Sequence, residues 1–264
     1  MNFPTIRQWR ILWQLLKRDL YIFRASYLDY MINTILWPVQ AAVAFGYVFP
    51  LMGMDKNYGA LIILATFVYK CLYESYFQSS NMVADINNLR SIDFIFTLPV
   101  TPWMIVLKNI VYFMIRCFAL CAPILLISKA ILQDRFPLDQ WSPGLSLVAF
   151  FATTLFFALF TVWLAGWVKD QLAFEHVWVR FFDLLTTWGG FWFTWHTLYA
   201  FSPTLGYITL LNPFTLATEA IRASFFGLSS ALAFWPCIGG LLLQAAMIGF
   251  IGYRKLKQRL DFVG

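Results

Sequence analysis

Charge is what this chain has least of. Asp, Glu, Lys and Arg make up 12% of its 264 residues, where an average soluble domain carries about 25%. A soluble fold would leave most of its apolar surface in water, so that class is excluded. Histidine is nearly absent. His176 and His196 fall near opposite ends of one predicted span and cannot share a metal. The four cysteines (Cys71, Cys117, Cys121 and Cys237) lie inside apolar blocks with no CxxC spacing, which indicates neither a disulfide framework nor a zinc site. Also missing is a Gly-x-x-x-x-Gly-Lys-[Ser/Thr] loop, so the chain does not bind ATP by that route. Paired carboxylates, a His-metal set and a nucleophile-base arrangement are all lacking at any useful spacing, which argues against an enzyme. The stretch ahead of the first apolar block is rich in Arg, Lys and Trp and shows no cleavage pattern, which disfavours a removable signal peptide.

What fills the chain instead is apolar: 61% of residues are hydrophobic and 20% aromatic. A membrane-crossing helix needs about 20 mostly apolar residues. Blocks of that kind occur at 29–50, 59–80, 103–128, 145–168, 176–198 and 232–254, and predict an all-α polytopic protein with six transmembrane helices. The whole chain, 1–264, reads as one domain: an interfacial helix at 5–24, a six-span bundle at 29–254 and a tail at 255–264. The net charge of +6 does not point to nucleic acid, because the basic residues sit at the ends of apolar blocks. Most Lys and Arg fall on the side of the two termini. The positive-inside rule therefore predicts cytoplasmic N- and C-termini.

Four segments depart from the apolar background. In 5–24, Ile6, Trp9, Leu12, Trp13, Leu16, Leu20 and Phe23 recur every three or four positions, with Arg7, Arg10, Lys17, Arg18 and Arg24 between them. Such a helix lies in the membrane interface, either as a passive anchor or as a connector to a cytoplasmic partner. The loop 85–102 carries a short amphipathic piece with Asn88, Leu89, Arg90, Ile92, Asp93, Phe94, Ile95 and Phe96, ended by Pro99; Pro102 then suits the first turn of the next helix. It is either a docking knob or a hairpin packed on its own bundle. Span two contains Lys70 and Glu74 one turn apart, flanked by Tyr69, Tyr73, Tyr76 and Phe77. The two charges can pair, which lowers their cost at membrane depth, and they face either the bundle interior or a translocation path. Asp183 has Arg180 one turn before it, as a further local pair. Finally, the run 211–222 breaks at Asn212-Pro213 and then places Glu219 and Arg222 one turn apart on a short helix. Broken backbone and charge at membrane depth need cover from protein or a water-filled cavity.

The amphipathic segment followed by Leu98-Pro99-Val100-Thr101-Pro102 resembles the coupling-helix region of ABC-2 type transporter permeases. The Leu211-Asn212-Pro213 to Arg222 run, with Phe225-Phe226-Gly227 after it, resembles the signature of that family before its last span. One departure is clear. Where members carry a Ser-Gly-Val-Phe-like stretch with a proline, this chain has Trp188-Gly189-Gly190-Phe191-Trp192-Phe193-Thr194-Trp195.

The resemblance implies the membrane subunit of a bacterial exporter in the inner membrane, working as a homodimer with two copies of a separate ATPase. It implies a cytoplasmic coupling helix at Asn88 to Phe96, a gating role for the interfacial helix and an outer re-entrant element from Asn212 to Arg222. The chain itself then binds no cofactor, and ATP with Mg belongs to the partner. The expected substrate is hydrophobic or lipid-linked, a drug or metabolite or a glycan, since rings of either kind stack on aromatic side chains. Two other classes stay open: an ion-coupled carrier that uses Lys70 and Glu74, and a membrane-embedded lipid-modifying enzyme.

Overall fold

The computed structural model describes residues 5–89, 98–227 and 232–261, without the side chains of 88, 89, 260 and 261. Every regular element among them is helical. Helix α1 is Ile6–Ala25, with the Gln8 side chain accepting from the Thr5 N–H at 3.0 Å to close its first turn. Helix α2 runs over Tyr27–Leu51, α3 over Tyr58–Ala84, α4 over Pro102–Leu132, α5 over Pro143–Trp167 and α10 over Phe234–Asp261. These five are long and apolar enough to cross a membrane, so the chain is a helical, multi-pass membrane protein.

Proline sets several starts. Pro102, Pro143, Pro203 and Pro213 each occupy a first helical position, where the missing N–H leaves no bond unmade. Helix α10 continues through Asp261, into the segment read as a tail.

The fifth apolar block, 176–198, is not one helix. Helix α6 covers 171–188, with a π-helical turn at Trp178–Phe182, and ends at Gly189-Gly190. Two short helices follow, α7 (Trp195–Phe201) and α8 (Pro203–Thr209). Three ionisable side chains, Glu175, Arg180 and Asp183, interrupt the apolar run of α6, which is why it falls outside the five. Even so, its flanks are bonded to opposite ends of α3. The Lys169 carbonyl accepts from Asn87 at 2.8 Å, and the Trp192 carbonyl accepts from the Tyr58 hydroxyl at 2.6 Å. Segment 169–192 therefore travels the length of α3.

Helix α9 (Pro213–Phe226) sits in the middle of the molecule, with Phe214 to Phe225 buried throughout. It packs on α3, α5, α6 and α10. Its start lies partway down the bundle, where Gln244 of α10 donates to the Leu211 carbonyl at 3.1 Å. Its end lies where α5 begins, with the Ser142 N–H donating to the Ser224 carbonyl at 2.9 Å. One apolar core joins α2 to α6, α9 and α10, from Ala41 to Leu256.

The most extensive packing in the bundle is α5 on α10. Small residues make it possible: a Cβ on Gly252 would sit 2.7 Å from the Trp163 Cα, and one on Gly249 would sit 2.9 Å from Leu159 Cδ2. Without a hydrophobic drive between helices in lipid, close backbone approach of this kind supplies the attraction. Gly252→Leu is expected to destabilise the purified protein by about 1–3 kcal/mol or more in detergent unfolding, since the clash is with backbone. Gly144→Ala, with open space around the added carbon, is the matched control and should be close to neutral.

Candidate functional site

Successive turns of α3 bring Thr66, Tyr69, Lys70 and Tyr73 to the gap between α2 and α6. There they line a cavity of 490 Å³. Asn33, Thr34 and Trp37 supply the α2 wall, while Asp183, Thr186 and Thr187 supply the α6 wall. Pro38 shapes the α2 side: its ring removes the N–H that would bond the Thr34 carbonyl, so the helix loosens beside the cavity. Asn33, Trp37, Asp183 and Thr187 are exposed on the surface of the chain. The cavity thus opens on a face shared by α2, α3 and α6.

A shared carboxylate underlies the cavity wall. Glu74 is buried; its Oε1 lies 2.7 Å from Lys70 Nζ and its Oε2 lies 2.7 Å from Arg116 Nε. Lys70 and Glu74 pair as their spacing predicts, and Arg116 on α4 is the partner that the spacing could not name. Arg116 also lies over the rings of Tyr30 at 4.1 Å and Phe23 at 5.2 Å, and Lys70 over Tyr73 at 5.1 Å. Two cations share one carboxylate, and Lys70 also borders the cavity. Asp183 faces the same space from α6 without an ion pair to Lys70. Nor does it pair with Arg180, against expectation. Arg180 lies inside the π-helical turn at Trp178–Phe182 and Asp183 directly follows it, so the wider turn shifts their relative phase on the helix.

Aromatic rings continue the cavity into a ribbon. Tyr73 meets Tyr69 at 6.4 Å and Phe77 at 4.6 Å along α3. Tyr69 meets Phe191 at 5.6 Å, and Phe191 meets Trp192 at 4.8 Å. Tyr76 turns away and packs between Phe174, Trp178 and Phe182. Of the six α3 residues singled out from the sequence, Tyr69, Lys70 and Tyr73 line the cavity, Glu74 anchors it from behind, and Tyr76 and Phe77 lie beyond its end.

A second polar cluster stands above the cavity. Asn212 caps α9, its Oδ1 accepting from the Phe214 N–H at 2.9 Å, and its Nδ2 donates to the Leu185 carbonyl at 2.9 Å. Pro213 takes the next position. Glu219 and Arg222 are both buried and paired at 3.0 Å. Arg222 Nη1 also donates to the Phe193 carbonyl, and Nη2 to the carbonyls of Phe191 and Leu61. Glu219 in turn accepts from the N–H groups of Trp195 and Leu232. The pair supplies hydrogen bonds to a stretch of chain that has left the helix.

On α1, Leu12, Leu16 and Phe23 face the bundle, and Asp19 pairs with Lys108 of α4. Arg7, Arg10, Trp13, Lys17 and Arg18 are exposed, as are Ile6 and Trp9. Of the coupling segment, 90–97 lies outside the described residues, so Arg90, Ile92, Asp93, Phe94 and Phe96 cannot be placed, and Asn88 and Leu89 are described by backbone alone. Pro99 sits exposed in the turn before α4. Sequence reading missed Arg259, which donates to Asn87 and to the carbonyls of Ala165, Val168 and Lys169. No local pattern marks that residue; only the folded chain brings those ends together.

Sharing of Glu74 has a measurable consequence. Glu74→Gln leaves two buried cations unpaired and is expected to cost about 3–5 kcal/mol in detergent unfolding. Lys70→Met leaves a matched Arg116–Glu74 pair and should cost clearly less. Equal losses would show that the carboxylate is not shared.

Comparison with protein-family models, with curated proteins and with solved structures found no match for this chain.

Proposed function

We propose that the chain is the permease half of an ATP-driven exporter, of the ABC-2 type that its motifs resemble. The observation that carries this reading is the polar aromatic cavity, open at the protomer surface on α2, α3 and α6. Ionisable and amide groups at membrane depth must face protein or water. Within one copy of the chain, Asn33 and Asp183 stand exposed at the mouth of this cavity. A second copy facing this surface would cover them and turn two half-cavities into one path.

In this account six crossings are completed by segment 169–192, whose two flanks bond to opposite ends of α3. At about 1.5 Å per residue its 18-residue helix is about 27 Å long, close to the thickness of an about 30 Å core, and the non-helical stretch after Gly190 follows it. Helix α9 is the outer re-entrant element, and α7 and α8 lie on its membrane side. Both termini are cytoplasmic, α1 rests in the inner interface of a bacterial inner membrane, and the 88–96 segment meets the ATPase.

The motor lies in a separate chain, since this one has no phosphate loop. Two ATPase subunits carry ATP and Mg, and their closure pushes on the 88–96 segment and on α1. Lys108–Asp19 passes movement of α1 to α4, and Arg116 connects α4 to Glu74 and the cavity wall. Opening is then a rigid-body change between two arrangements of the protomers. The ribbon of Tyr69, Tyr73, Phe77, Phe191 and Trp192 suits a substrate with flat or ring-shaped faces, a hydrophobic metabolite or the glycan of a lipid-linked chain. An ion-coupled carrier is less well supported, because Glu74 is held by two cations rather than left free to exchange a proton.

Purification of the tagged chain from its own cells is expected to recover an ATPase subunit. Replacing Leu89–Phe96 by Gly/Ser in that complex should uncouple it, so that substrate no longer stimulates ATP hydrolysis. Tyr73→Ala should lower export by about two- to tenfold, the worth of one aromatic contact, without changing basal hydrolysis. Proton-driven transport by the chain alone in vesicles would overturn the proposal.

A further inference from the structure

On the side of the bundle away from the cavity, α4 and α5 diverge toward the membrane face where one ends and the other begins. Between them lies a crevice of 570 Å³, within the about 300–1,000 Å³ range of small-ligand sites. Phe67, Phe150, Ile221 and Phe225 form its floor and walls, while Phe118 and Leu126 stand exposed at its rim. The crevice follows α4 from Phe118 to Lys129, about 16 Å of helix, which matches one leaflet of an about 30 Å hydrocarbon core.

Its chemistry changes sharply at one end. The deep part has no polar side chain, and the end at the membrane face has Lys129, Trp141 and Ser146. Lys129 Nζ donates to the carbonyls of Gln133 and Phe136, at 2.7 and 2.9 Å, which fixes the ammonium at the mouth. Among the described residues it has no carboxylate partner within ion-pair distance. Trp141 is pinned there too, stacked on Phe225 and donating to Ser146 at 2.9 Å.

We propose that this crevice is a binding site for one glycerophospholipid of the surrounding bilayer, with an acyl chain in the apolar slot and the phosphate on Lys129. The slot opens into the hydrocarbon region, so a lipid chain reaches it sideways without crossing water. Dispersion contacts along the rings hold the chain, and the fixed ammonium selects the head group by charge. The lipid then lies against Ile221 and Phe225, on the same helix as the Glu219–Arg222 pair, and supports α9 from the membrane side. This inference rests on membrane insertion alone and stands or falls apart from the export reading.

Native mass spectrometry of the full-length protein, extracted from vesicles of phosphatidylglycerol and phosphatidylethanolamine, tests it. The wild type is expected to retain one phospholipid per chain. Lys129→Gln should weaken retention about fivefold, the worth of roughly one lysine at a lipid phosphate. Ala122→Trp should fill the slot and abolish retention. Because that variant could misfold, a photoreactive phenylalanine analogue at Leu126 gives a second reading on a chain with its crevice intact. It should cross-link phospholipid many times more efficiently than the same group at Leu243, an exposed site on α10. Equal cross-linking at the two positions, or retention unchanged in both variants, would overturn the proposal, and a cross-link to protein at Leu126 would identify a helix as the occupant instead.

Discussion

The Arg222 guanidinium is the interaction on which the rest of this structure depends. Backbone that leaves the helix at membrane depth carries N–H and C=O groups with no water to satisfy them. Arg222 offers donors in a fixed fork and delivers them to the carbonyls of Phe191, Phe193 and Leu61, while Glu219 balances its charge. Glu219 then accepts from Trp195 and Leu232 on the far sides of the cluster. With these carbonyls bonded, and the Arg222 Nε left as the one donor of the fork without a partner among the described residues, the chain can stop α6 at Gly189-Gly190, place Phe191 and Trp192 over the cavity, and return through α9. Removing the pair would strand several polar groups in a space that cannot hydrate them.

The same rule orders the cavity below. Glu74 is affordable because two cations surround it, and Arg116 is affordable because Tyr30 and Phe23 lie against its flat faces. Charge at depth is therefore kept in two bundles of contacts, one that fixes the segment after α6 and one that borders the cavity. Asn33 and Asp183 remain exposed at the mouth of the cavity.

Much of this was legible in the sequence, for identifiable reasons. Long apolar runs specify long helices, so the ends of α2 to α5 fall within a few residues of expectation. Helical spacing alone was enough to pair Lys70 with Glu74 and Glu219 with Arg222. Spacing failed where partners come from distant elements, as with Arg116, Asp19–Lys108 and Arg259. It failed again at 176–198, where composition reads as a span but Gly189-Gly190 and a π-helical turn break the helix. The same turn undid the expected Arg180–Asp183 pair. Periodicity assumes a constant number of residues per turn, and π turns violate that assumption locally.

The central claim is that the face formed by α2, α3 and α6 is half of a shared path. Symmetric disulfide cross-linking in membranes tests it most directly, on a chain whose four buried cysteines have been replaced. A cysteine at Asn33 is expected to join two copies of the chain, while a cysteine at Leu243 on α10 should not. Cross-linking at Leu243 with none at Asn33 would contradict the account.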